Sequence, residues 1–140
     1  KLLLVGTKGW KYDELLENIN DVNDIHYFGS ANDQELFSFY QNALGLIYIS
    51  LYEGFGLPVI EAMKFGLPVI CSNLGASKEI AESAAIMVNP LIEKDIKDAI
   101  IEFLNNKNLR QKFSRLGIKK ASNFSWSKTA DETFNFLTKI

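Results

Sequence analysis

The chain has 140 residues, 47% hydrophobic and 23% charged, with a net charge of −2. That balance suits one globular domain able to bury roughly two-thirds of its unfolded surface, and it excludes a disordered or collagen-like chain. No apolar run approaches the ~20 residues of a membrane span, and the opening stretch does not read as a signal peptide. A single cysteine, Cys71, excludes an internal disulfide and fits a reducing cytoplasm.

The chain opens directly on a strand pattern, "KLLLVG", with no methionine, and so reads as a piece cut from something longer. Short apolar runs at 2–6, 25–29, 45–50, 68–72 and 84–88 predict strands, each rich in β-branched or aromatic residues and bounded by turn chemistry. Helical patterns lie between them at 12–19, 33–43, 58–65 and 77–82. Strands that are almost wholly apolar are buried on both faces. The predicted fold class is therefore α/β, a doubly wound parallel sheet with helices on both sides. From residue 91 onward the pattern is helical, which predicts a helical C-terminal third. His26, the only histidine, is read as a packed structural residue, Trp10 and Trp126 as packing anchors, and Cys71 as a small buried hydrophobe.

The hexapeptide "FGLPVI" occurs twice, at 55–60 and 65–70. The two copies are predicted to fold differently. After Pro58 come helix formers, with Val59, Ala62, Met63 and Gly66 on one face, so Pro58 is read as the first helical residue. Gly66 is the natural stop of that helix, and the second copy then continues into a strand. The first copy thus places a glycine-flexible loop after a strand and before a helix N-terminus. In a parallel sheet that is where ligands bind, and free N–H groups with a helix dipole suit a phosphate. Leu57 and Val59 are the candidate N–H donors, because Pro58 has none. Glycine at 54 and 56 would admit close approach to the backbone. Glu53 and Glu61 bracket the loop. Either they hold sugar hydroxyls through charge-assisted hydrogen bonds, or Glu53 is a solvated loop residue and Glu61 merely complements the helix dipole.

The stretch "EGFGLPVIEAMKFGLPVICSNLGASKEI" resembles the signature of GT-B retaining glycosyltransferases, in particular glycosyltransferase family 4. The family's two glutamates separated by seven residues are matched by Glu53 and Glu61. "LLLVGTKGW", "IHYFGSANDQELFSFYQNALGLIYISLYEGFG" and "FSW" at 124–126 are similar to further family segments in the same order. The resemblance implies transfer of a sugar from a nucleoside diphosphate sugar to an acceptor, with retention of configuration and no other cofactor. It implies that Glu53 is the catalytic-site carboxylate and holds the donor sugar with the backbone of Gly54, Phe55 and Gly56. Glu61 would hold the ribose hydroxyls, Leu57 and its neighbours the diphosphate, and the turn at Gly29 and Ser30 would lie beside the base. The family also grips the diphosphate with an arginine and a lysine upstream of the strand matching "LLLVG". The expectation is therefore a partial donor-binding domain over residues 1–140, inactive alone, without its first strand or the N-terminal acceptor domain. A non-catalytic nucleotide-binding module and another GT-B enzyme, such as an epimerase or phosphorylase, stay open as alternatives.

No His, Cys and carboxylate cluster has metal-ligand spacing, so no metal is predicted. From Phe103 to Ala130 there are seven basic residues and no acidic one. Lys112, Arg115 and Lys119 form one stripe, read either as a solvated helix face or as a contact for an anionic membrane surface or lipid-linked glycan acceptor. That suggests a cytoplasmic protein, peripheral at the inner face of the membrane. Nucleic acid is not expected as a partner, given the net charge.

Overall fold

The computed structural model describes residues 1–9, 12–20 and 22–139; Trp10 lies outside them. The chain divides into two compact units, Lys1–Phe39 and Tyr40–Ile140.

In the first unit, β1 (Leu2–Val5) and β2 (Ile25–Gly29) are joined through α1 (Tyr12–Asn20) and pair in parallel, with Leu2 opposite Ile25 and Leu4 opposite Tyr27. A helical crossover is what a parallel pair needs, since a tight turn cannot reverse the chain twice. Asn32 opens α2 (Asp33–Asn42) as a reciprocal cap: its side chain accepts the Glu35 N–H, and Glu35 accepts the Asn32 N–H. Two expectations fail here. Leu2, Leu3 and Val5 are exposed rather than buried on both faces, and His26 is exposed rather than packed. The second follows from strand alternation, since along β2 the exposed positions are His26 and Phe28 and their neighbours are half-buried; along β1 only Leu4 is half-buried.

The second unit contains β3 (Leu46–Tyr48), α3 (Leu57–Lys64), β4 (Val69–Ser72), α4 (Gly75–Ala81) and β5 (Ile86–Val88). Its strands pair in parallel in the order β3-β4-β5, each step crossed by a helix. Three helices follow, α5 (Glu93–Asn105), α6 (Lys107–Ala121) and α7 (Trp126–Leu137). Asn106 breaks the first two apart and caps α6, accepting the Leu109 N–H at 3.0 Å. The predicted strands are all present, most of them shorter than read, in parallel sheets with flanking helices and a helical C-terminal part. Hydrogen bonding divides them into a two-stranded and a three-stranded set.

The core of this unit centres on β4, which is buried at every position. Ile70 and Val88 meet Phe103 of α5, with Ile96 and Ile100 alongside, while α3 and α4 also pack on β4. Cys71 is fully buried as expected, its thiol pushed up to about 12 by burial and resting 3.5 Å from the Met87 sulfur. Trp126, by contrast, is 75% exposed at the start of α7 rather than packed as an anchor.

The doubled hexapeptide behaves as its surroundings dictate. In the first copy Gly56 is left-handed (φ 93°, ψ 47°) and α3 begins at Leu57, so Pro58 is its second residue rather than its first. The second position lacks an intrahelical partner for its N–H just as the first does, so proline loses nothing there. In the second copy Gly66 is also left-handed, at φ 72°. The Gly66 N–H donates to Met63 O at 3.0 Å and the Leu67 N–H to Ala62 O at 3.0 Å, a paired closure of the helix end.

Gly45, just before β3, has no such backbone need. A Cβ there would stand 2.2 Å from Phe103 Cζ and 3.0 Å from Pro68 O. Gly45→Ala should therefore cost about 1–3 kcal/mol by overpacking, seen as a fall of roughly 3–10 °C in Tm. An unchanged Tm would show that Phe103 yields freely.

Candidate functional site

The site grows out of the carboxyl end of β3 in the second unit. Tyr48 closes that strand, and Ser50 follows two residues later, a spacing that sends extended side chains the same way. Both hydroxyls donate to one carboxylate oxygen: Tyr48 Oη to Glu53 Oε1 at 2.8 Å and Ser50 Oγ to Glu53 Oε1 at 2.8 Å. Glu53 is half-buried and held, not a solvated loop residue. Burial first, and then the hydrogen bond to Glu53, push the Tyr48 hydroxyl up to about 12, so it stays a donor at neutral pH.

Gly54 and Phe55 are exposed, and a Cβ on Gly54 would meet nothing within 4 Å, so the backbone there is open to a ligand. The Phe55 ring lies edge-on to Phe124, centroids 6.2 Å apart, which ties the loop to the "FSW" segment. The chain then reverses at Gly56 into α3. Leu57 is exposed at the helix start, where N–H groups have no intrahelical partner. Val59 differs: it is fully buried, and its N–H donates to Gly56 O at 3.0 Å. Of the two expected backbone donors, Leu57 is thus the one at the open helix end.

Glu61 stands off the buried face of Val59, Ala62 and Met63 and is half-buried. Its Oε2 accepts a hydrogen bond of 3.1 Å from the Tyr40 hydroxyl. Tyr40 is only 6% exposed, and its ring packs against Phe65 with centroids 5.7 Å apart. Burial, and then the Glu61 charge, hold the Tyr40 hydroxyl well above the ordinary tyrosine range. Glu61 is therefore more than a complement to the helix dipole.

The structure brings Glu53, Gly54, Phe55, Gly56, Leu57, Val59 and Glu61 into one loop-and-helix segment of the second unit. Gly29 and Ser30 belong to the first unit. Gly29 ends β2 in a left-handed turn (φ 86°) and accepts the Gly6 N–H at 2.8 Å, while Ser30 is exposed. Lys112, Arg115 and Lys119 are exposed along α6. Other basic residues of that region are tied inward: Arg110 donates to the Phe103 and Leu104 carbonyls, and Lys120 pairs with Glu82 at 2.9 Å. Among the described residues no three His, Cys, Asp or Glu gather as a metal site, and no helix is long and apolar enough to cross a membrane.

Sequence reasoning missed Tyr40, Tyr48 and Ser50. Tyr48 and Ser50 sat inside an apolar strand pattern, where only their two-residue spacing before Glu53 was a signal. Tyr40 sat inside a helical pattern, where nothing local marks the partner of its hydroxyl.

Parallel sheets flanked by helices, with this loop at a strand's carboxyl end, place the chain among GT-B glycosyltransferases by fold. Solved structures agree. The chain superposes on the sucrose-phosphate synthase of Thermosynechococcus elongatus with a TM-score of 0.81 at 25% identity, covering 99% of this chain and 38% of that one. It superposes on Anabaena HepE, solved in complex with UDP-glucose, with a TM-score of 0.84 at 20% identity, covering 99% and 40%. The chain belongs to the glycosyl transferases group 1 family, whose model matches residues 1–120. Among curated relatives, O-antigen chain mannosyltransferase B of Escherichia coli is 34% identical over 137 residues, which is 96% of this chain and 36% of the relative. The chain thus spans little more than a third of the length of these proteins.

The Tyr48 hydroxyl gives a pH prediction. Its folded value of about 12 lies above the ordinary 10.0, so its contribution to stability is full below pH 10 and lost as pH rises from about 10 to 12. In urea titrations, the stability gap between the unmodified protein and Tyr48→Phe should shrink across that window. A gap constant from pH 9 to pH 12 would show that the hydroxyl titrates normally.

Proposed function

We propose that this chain is the donor-binding part of a glycosyltransferase that moves a sugar from a nucleoside diphosphate sugar to an acceptor with retention of configuration. The observation that carries this reading is the glutamate pair: two half-buried carboxylates on either side of the Gly56 reversal, each fixed by a tyrosine hydroxyl. Carboxylates held in place are strong acceptors for sugar hydroxyls. Glu61 takes the ribose hydroxyls, and Glu53, with the backbone of Gly54, Phe55 and Gly56, takes the donor sugar. The Leu57 N–H and the α3 dipole face the diphosphate. Negative charge building on the leaving diphosphate is stabilised by groups already in place, with no proton transfer assigned to either glutamate and no cofactor beyond the donor. The mannosyltransferase relative and the UDP-glucose complex of HepE support this class of donor.

The acceptor, a sugar or lipid-linked glycan, belongs to a domain outside these residues, as do the first strand of the donor domain and the basic pair on the diphosphate. The 140-residue chain alone therefore gives no transfer, because transfer needs both substrates held in one geometry. The protein works in the cytoplasm, and Lys112, Arg115 and Lys119, exposed together, meet the anionic inner face of the membrane. Changing all three to Gln in the full-length protein should abolish salt-sensitive binding to vesicles containing phosphatidylglycerol, since each cation near such a surface adds about 1 kcal/mol. Unmodified protein that ignores these vesicles at low salt would leave the stripe a solvated face.

The donor reading is tested by titrating UDP, GDP and ADP into the full-length protein. One of them should bind, and Glu61→Ala should weaken it by about tenfold or more, since a hydrogen bond to a charged group contributes about 1.5–3 kcal/mol. The fold should survive, because Glu61 lies off the buried face. Unchanged affinity in a folded variant would remove Glu61 from the ribose.

A further inference from the structure

We infer that Tyr40 and Tyr48 are positioning residues: each occupies one oxygen of a site carboxylate and so leaves the opposite oxygen aimed at the ligand. The inference rests on the donor reading above and extends it to residues outside the glutamate loop. Tyr40 takes Oε2 of Glu61, and Tyr48 with Ser50 takes Oε1 of Glu53. The oxygens this assigns to the ligand are then Glu61 Oε1 and Glu53 Oε2.

Three features separate this role from filling space. First, each tyrosine hydroxyl donates to a carboxylate rather than to a backbone carbonyl. A phenol carries a single proton, so that donation fixes its partner oxygen. Second, the Tyr40 ring is clamped in the interior against Phe65, so its hydroxyl cannot follow a moving glutamate; the glutamate must come to it. Third, Tyr48 is the last residue of β3 and pairs with the fully buried Cys71 on β4, which fixes its origin to the most buried strand of the sheet. A glutamate side chain on its own loses rotamer freedom when it is ordered. Here the ordering is already in place before a ligand arrives, so binding need not supply it.

The two clamps act on different parts of one ligand, and that gives a crossed test. Affinities are measured by calorimetry in the full-length protein for UDP and GDP, for their 2′,3′-dideoxy forms, and for UDP-glucose and GDP-mannose. Tyr40→Phe should lose about tenfold toward the ribose diphosphate and nothing toward its dideoxy form. Tyr48→Phe with Ser50→Ala should leave the diphosphate unchanged and lose the added affinity that the sugar brings. A purely structural role would weaken every ligand alike, and that result overturns the inference, as does no change in either variant. The two variants report separately, so one that fails to fold leaves the other to decide. If the unmodified protein binds none of these ligands, the donor reading itself falls and this inference falls with it. If it binds and the crossed pattern is absent, only the inference is lost.

Discussion

The left-handed reversal at Gly56 is the constraint on which the site depends. A side chain at φ 93° would be strained whatever the space around it, so the chain can turn from the β3 loop into α3 only through glycine. The turn sets the phase of the helix: with the Val59 N–H on Gly56 O, the residues that face inward are Val59, Ile60, Ala62 and Met63. Burying a side chain such as Val59 or Met63 contributes about 1.5–3 kcal/mol each. A helix rotated by one residue, ~100°, would lose much of that and carry the Glu61 charge toward the core, where an unpaired carboxylate is strongly unfavourable. The apolar core therefore decides where the carboxylate points. Chemistry at the site and packing beneath it are one constraint.

The exit from α3 is governed in the same way. Gly66 turns left-handed beneath α6, and a Cβ on it would stand 3.2 Å from Ile118 Cδ1. One turn away the relation is mirrored: a Cβ on Gly117 of α6 would stand 3.0 Å from Met63 Cγ. The turn that ends α3 and the helix α6 thus each present a glycine to the other, and the two backbones approach closely. With Gly117 and Ala121 buried on that contact, helical geometry sends Lys112, Arg115 and Lys119 outward. The basic stripe is exposed because the opposite side of the helix must be nearly bare.

The fold was largely legible because its signals are local. Short apolar runs alternate with amphipathic stretches, and the different fates of the two "FGLPVI" copies follow from what comes after each proline. The glutamate pair was legible by spacing and resemblance. What escaped was non-local. Nothing near Tyr40 reveals that its hydroxyl reaches Glu61, twenty-one residues on. The misread residues fail for a related reason. Residue type points inward for His26 and Trp126, whereas their exposure is set by strand alternation and by an exposed helix start. Pro58 was placed one position early because Gly56, not Leu57, absorbs the turn.

The electrostatics of the loop set one further demand. If the donor-binding reading holds, two carboxylates beside a diphosphate would place like charges together, and residues 49–61 contain no lysine or arginine to balance them. The N-terminal dipole of α3 is worth only about 0.3–1 kcal/mol at an exposed position. Each tyrosine donation stabilises its own glutamate but adds no positive charge to the site. On the donor-binding reading, the cations that hold the diphosphate must therefore come from outside this loop, and the loop's own part is selection: open backbone at Gly54 for close approach, and two oriented acceptors for hydroxyls. On the same reading, a site divided in this way would favour hydroxyl-bearing nucleotides over bare phosphates, because an inorganic anion would meet the carboxylates without satisfying them.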